Sequence, residues 1–86
     1  MDNIKEISKI ISKIRTDKEA YFFLKEIMTD SELATLSKRW RILKMLSDGR
    51  TQRDIAKELN VSLCKVTRGS KILKDKNAIV TNLIKE

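Results

Sequence analysis

The 86 residues contain no proline and only two glycines. A chain without these turn formers and helix breakers has few means of building tight hairpins, and nothing in it stops a helix by force. The expected fold is all-α, about six short helices in a single domain, 1–86. A chain this short buries only about 60% of its unfolded surface, so one copy alone has a thin core. The single cysteine, Cys64, permits no internal disulfide, and the lack of any histidine removes the usual zinc ligands. A second copy of the chain is the simplest remaining source of stability.

Hydrophobic spacing supports the helices and hints at the partner. Ile4, Ile7, Ile11 and Ile14 follow a three-four seam, widened by Ile10. Thr16 with Glu19 forms a capping box that opens a second helix through Tyr21, Phe22, Phe23, Leu24, Ile27 and Met28. The aromatic residues there read as a wedge at a dimer core. Residues 1–28 are therefore expected to be dimerisation helices. Thr29 with Glu32 is a second capping box, starting a central helix over 29–49. Its apolar positions are Leu33, Leu36, Trp40, Leu43 and Leu46, and Trp40 is expected to be packed. Gly49 is placed to end this helix in the left-handed conformation.

Residues 51–74 carry the main functional signal. Thr51 can cap a helix over Gln52–Leu59, with Ile55, Ala56 and Leu59 facing inward. Asn60 tolerates the left-handed turn that follows, and Ser62 can cap the next helix. Two short helices joined by a tight turn, with small Ala56 at the crossing and Leu59, Val61 and Val66 inside, describe a helix-turn-helix. An ordinary helical hairpin is the alternative. Against it stands the charge of the second helix: Val61 to Lys74 holds Lys65, Arg68, Lys71 and Lys74 and no acid. The whole chain has 19 Lys plus Arg against 12 Asp plus Glu, a net +7. Such a balance suits a polyanionic partner. On a helical wheel Val66 and Leu73 mark the core, while Cys64, Arg68 and Lys71, flanked by Lys65 and Thr67, face out to suit a DNA major groove. A C-terminal helix is expected over 75–86.

Gly69 is out of place in this helix, where glycine costs about 1 kcal/mol relative to alanine. Either a neighbouring element or a ligand needs the room, and the sequence leaves both open.

The runs TQRDIAKEL (51–59) and VTRGSKILK (66–74) resemble the Trp repressor family of bacteria, as do Met28-Thr29, Arg39 and Arg41-Ile42 upstream. The resemblance covers about residues 28 to 74. It implies an intertwined homodimer that binds palindromic double-stranded operator DNA when L-tryptophan is bound as co-repressor. It further implies that the indole lies between the Arg39 and Arg68 side chains, with Arg68 pairing the ligand carboxylate and Gly69 leaving space for the ring. The ligand amino group would meet carbonyls near Ile27 and Met28, beside Thr29. On the DNA side the resemblance marks Arg53, Ala56, Leu63, Cys64, Lys65, Thr67 and Ser70, to which the charge pattern adds Lys71 and Lys74. Ile72 stands where the family has a serine that helps hold the amino group. Glu26 replaces a leucine, the turn at Gly49 is one residue shorter, and the N-terminal arm is reduced.

Other classes fit less well. A ligand-independent DNA-binding regulator of the same fold is the nearest alternative. No histidine, nucleophile–base pair or phosphate-binding glycine loop suggests an enzyme. No aromatic residue follows Trp40, which disfavours single-strand or RNA binding by stacking. Cys64, among cations, is a small groove-facing residue or a redox sensor. No cofactor or metal is expected, nor a membrane: no apolar run nears ~20 residues, and MDNIKEISK lacks a signal-peptide core. The expected location is the cytoplasm.

Overall fold

The computed structural model describes residues 2–85, and these form six α-helices and no strand. The helices are α1 (Asn3–Ile11), α2 (Asp17–Ile27), α3 (Asp30–Ser47), α4 (Gln52–Leu59), α5 (Leu63–Lys74) and α6 (Ile79–Leu83). The all-α expectation is met. Contacts group the chain into two compact units, Met1–Leu33 and Ala34–Glu86. None of the described helices is long and apolar enough to cross a membrane.

In the first unit, Asp2 caps α1 by accepting from the Ile4 amide at 2.9 Å. The isoleucine seam is shorter than its spacing suggests, because Ile14 lies beyond the helix. The cause is the next start signal. Thr16 accepts from the Glu19 amide at 3.1 Å, and Glu19 Oε1 accepts from the Arg15 amide at 3.1 Å. That geometry holds Thr16 extended, so the chain must leave the helix before it. Neither α1 nor α2 buries a residue: Ile4, Ile10, Ile11, Tyr21, Phe22, Leu24 and Ile27 are all exposed. Tyr21 and Phe22 stack edge to face at 5.6 Å, a local pair on an otherwise uncovered apolar surface.

The Thr29–Glu32 capping box at the start of α3 is reciprocal: the Thr29 amide donates to Glu32 Oε1 at 2.8 Å, and the Glu32 amide to Thr29 Oγ1 at 3.1 Å. The helix ends as its glycine suggests. Gly49 adopts φ +89, and the Arg50 amide reaches back to the Met45 carbonyl at 3.1 Å.

In the second unit, the core is Ile42 and Met45 of α3 with Ile55 of α4 and Val66 of α5. Leu46, Ala56, Leu59 and Val61 pack around it. This corrects the expected inward stripe of α3. Leu36 and Trp40 are exposed, Trp40 by 47%, while Ile42 and Met45 are the buried positions. The helix has two apolar faces, and its own chain covers one of them.

The elements 52–59 and 63–74 form where the sequence puts them. Thr51 accepts from the Asp54 amide at 3.2 Å and Ser62 from the Lys65 amide at 3.4 Å. Between them Asn60 takes φ 53. The C-terminal element departs from expectation: α6 spans five residues, not 75–86. Asp75 turns the chain first, its side chain accepting from the Asn77 amide at 2.9 Å and its carbonyl from the Ala78 amide at 3.1 Å. Buried Thr81 then ties α6 back, donating to the Ile72 carbonyl at 3.1 Å. Residue 86 of the expected helix lies outside the described residues.

Candidate nucleic-acid interface

The α4–turn–α5 pair owes its geometry to the four-residue core. Ile55 and Val66, both 0% exposed, fix one face of each helix inward. The opposite face of α5 is consequently turned outward, and it carries Cys64, Lys65, Arg68, Lys71 and Lys74, all exposed. Arg53 on α4 is exposed as well. Leu63, at the start of α5, is 46% exposed. The only ion pair among the described residues is Arg50 with Glu58, at 2.7 Å. The hydrogen bond and the charge of Glu58 raise the Arg50 pKa above its ordinary value. This pair neutralises one acid of α4 and leaves the cations of α5 unopposed by it.

Three residues that the family resemblance marks on the DNA side are half-buried. Ala56 is half-buried against the core, at the crossing that its small size permits. Ser70 is half-buried. Thr67 is half-buried too, because its hydroxyl donates to Gln52 Oε1 at 2.8 Å and lies 3.0 Å from the Leu63 carbonyl. The wheel angle alone places Thr67 outward; the crossing of α4 over α5 brings Gln52 to it.

Sequence reasoning does not single out Gln52, since an isolated glutamine at a helix start has no distinguishing pattern. It also misses a second basic run. Lys38, Arg39, Arg41 and Lys44 lie on α3 with no acid between Leu33 and Ser47, and Lys38, Arg39 and Arg41 are exposed. Its signal is the same acid-free charge run that marks α5.

Of the residues implied as ligand contacts, Arg39, Arg68, Gly69 and Ile72 belong to the second unit, and Ile27, Met28 and Thr29 to the first. Arg39 and Arg68 are exposed, and Ile72 is half-buried. Gly69 is buried against α3. A Cβ there would stand 3.1 Å from Ile42 Cγ2, 3.3 Å from Leu46 Cδ1 and 3.5 Å from Leu43 Cδ2. The α3 side chains crowd this position, as a neighbouring element that needs the room would.

The stiffness of these neighbours decides the sign of one substitution. Gly69→Ala gains about 1 kcal/mol of helix propensity. It also presses a methyl onto Ile42, whose Cγ2 branches from a stiff Cβ in a side chain only 3% exposed. Overpacking of this kind costs about 1–3 kcal/mol, so the melting temperature of the ligand-free protein is expected to fall. A thermal melt showing a higher value would mean that α3 yields readily and that the glycine is there for another reason.

A sequence profile of the family described as Trp repressor protein matches residues 2–86. The chain belongs to this family. Among its relatives in the Trp repressor family is a Trp operon repressor homolog of Xylella fastidiosa (strain M23). It is 37% identical over 70 residues, which cover 80% of this chain and 76% of the relative. A Trp operon repressor homolog of Chlamydia caviae is 34% identical over 67 residues, covering 77% of this chain and 66% of the relative. No solved structure matches the chain. The family match extends beyond the run of motif residues at 28–74 and takes in both units.

Proposed function

We propose that this member of the Trp repressor family is a homodimeric transcription repressor of the cytoplasm. It inserts α5 into the major groove of palindromic operator DNA and responds to L-tryptophan as co-repressor. One observation carries the DNA reading: an acid-free cationic face on α5 is held outward by a buried core beneath it. The α4–turn–α5 pair acts as a helix-turn-helix. In dimeric proteins of that kind, Trp repressors among them, two such helices lie about 34 Å apart on successive grooves. Lys65, Lys71 and Lys74 reach phosphates and base edges, and Arg53 contacts a base from α4. The regulated genes serve tryptophan biosynthesis or transport, a reading supported by the names of the relatives.

The second copy is supported by the first unit, where no described residue is buried. Helices of nine and eleven residues are marginal in isolation and need an apolar partner. For the co-repressor, Arg39 and Arg68 supply planar guanidinium groups suited to stacking on an indole and pairing a carboxylate. The apolar Ile72 favours a second reading, in which the regulator takes no ligand or one without an amino group. Calorimetric titration with L-tryptophan, indole-3-propionate and tryptamine separates these. Heat with L-tryptophan supports the first, heat with the propionate alone or with none of the three supports the second.

DNA binding is expected to weaken steeply between low and physiological salt, because each phosphate contact releases a counterion. Lys71→Ala is expected to weaken specific and mixed-sequence duplexes alike and to flatten the salt slope by about one, the share of a single phosphate. Arg53→Ala instead relaxes base preference. A binding constant insensitive to salt would overturn the model of α5 on the phosphate backbone.

A further inference from the structure

We infer that Gln52 is a phosphate-contacting residue of the DNA interface and that Thr67 is the positioning residue that holds it in place. The inference rests on the reading that α5 docks on duplex DNA. Gln52 opens α4 and Thr67 sits on α5, fifteen residues later, yet their side chains meet at 2.8 Å. This is the side-chain hydrogen bond that joins the two helices among the described residues. Both partners are half-buried, so water competes less for the contact than at an open surface.

The chemistry of the pair divides the labour. A glutamine side chain has several rotatable bonds, and ordering it carries an entropic cost. Thr67 meets that cost before any DNA arrives. With Oε1 accepting from Thr67, the carboxamide presents its Nε2 N–H groups, which are donors only. No acceptor within the chain takes them among the described residues, and exposed Arg53 follows immediately in sequence. A preset N–H donor matches an anionic oxygen. On a face already lined by Lys65, Arg68 and Lys71, that oxygen is a backbone phosphate. The Thr67 hydroxyl proton is engaged by Gln52 and lies near the Leu63 carbonyl, so it is not free to donate to a base in the same state.

The test is a double-mutant cycle on DNA binding by the full chain. The probe is a duplex enriched from a random library by the wild-type protein, compared with a mixed-sequence duplex of equal length. Gln52→Ala is expected to weaken both by about tenfold, the scale of one hydrogen bond to a charged group. Because the donor removed is neutral, the salt slope is expected to stay unchanged, unlike that of Lys71→Ala. Thr67→Val is expected to have a similar effect, the double variant to be no weaker than Gln52→Ala alone, and Thr67→Ser to restore binding. Enrichment repeated with Thr67→Val is expected to return the wild-type sequence. Additive losses, wild-type affinity in Gln52→Ala, or a changed sequence preference in Thr67→Val each overturn the inference while leaving DNA binding standing. If Thr67→Val does not fold by circular dichroism, Gln52→Ala and Thr67→Ser carry the same comparison. A wild-type protein that enriches no duplex removes the DNA reading itself, and this inference with it.

Discussion

Ile7→Asp combined with Ile11→Asp is expected to leave an unfolded chain, not a folded monomer. The two positions lie four residues apart on α1, along the edge that includes exposed Ile4. Removing water from an unpaired carboxylate costs several kcal/mol, and two on one seam exceed the margin by which a domain of this size is stable. If a second copy covers this seam, assembly fails, and helices of nine and eleven residues are left without the packing that sustains them. Sedimentation with circular dichroism reads both properties at once. A double variant that remains helical and sediments as one chain would show that α1 and α2 do not depend on a partner.

The second large effect is expected at Ile55→Ala. Ile55 is 0% exposed, and the buried cluster around it contains only Ile42, Met45 and Val66 besides. Removing an isoleucine side chain from such a site costs about 2–5 kcal/mol, from reduced burial and from the cavity left behind. With so few buried residues to redistribute the strain, the value is expected in the upper part of that range. Ile55→Val is expected to cost about 0.5–1.5 kcal/mol, and Leu63→Ala, at a position 46% exposed, to be nearly silent. Thermal melts of the three variants give the order. A mild Ile55→Ala would mean that α4 is held by something other than this core.

The parts of the fold legible in the sequence are those written in short-range chemistry. Thr51, Asn60 and Ser62 mark the ends of α4 and α5 because a cap or a left-handed turn needs only its own few neighbours. The capping boxes at Thr16 and Thr29 are readable for the same reason. What the sequence hides depends on which elements meet. Periodicity identifies apolar positions along α3 but not which stripe its own chain covers, so it puts Leu36 and Trp40 inside where Ile42 and Met45 are found. The wheel places Thr67 outward, since it carries no information about Gln52 on another helix. Gly69 is a clear anomaly with two explanations, and only the distances to Ile42 and Leu46 weigh them. The shortness of α6 is readable in principle from Asp75, whose side chain competes for backbone amides at the point where periodicity alone continues the helix.

The way α5 is held bears on how such a regulator changes its target over evolution. Its anchor is Val66 and Gly69, both buried, whereas Cys64, Lys65 and Lys71 are exposed and take no part in the core. Substitutions at exposed positions of this kind usually alter stability by less than about 0.5 kcal/mol. These outward positions of α5, and on the proposed DNA reading the sequence it recognises, can therefore change without compensating changes elsewhere. Thr67 is the exception on that surface: its bond to Gln52 makes it a fixed point around which the neighbouring positions can vary.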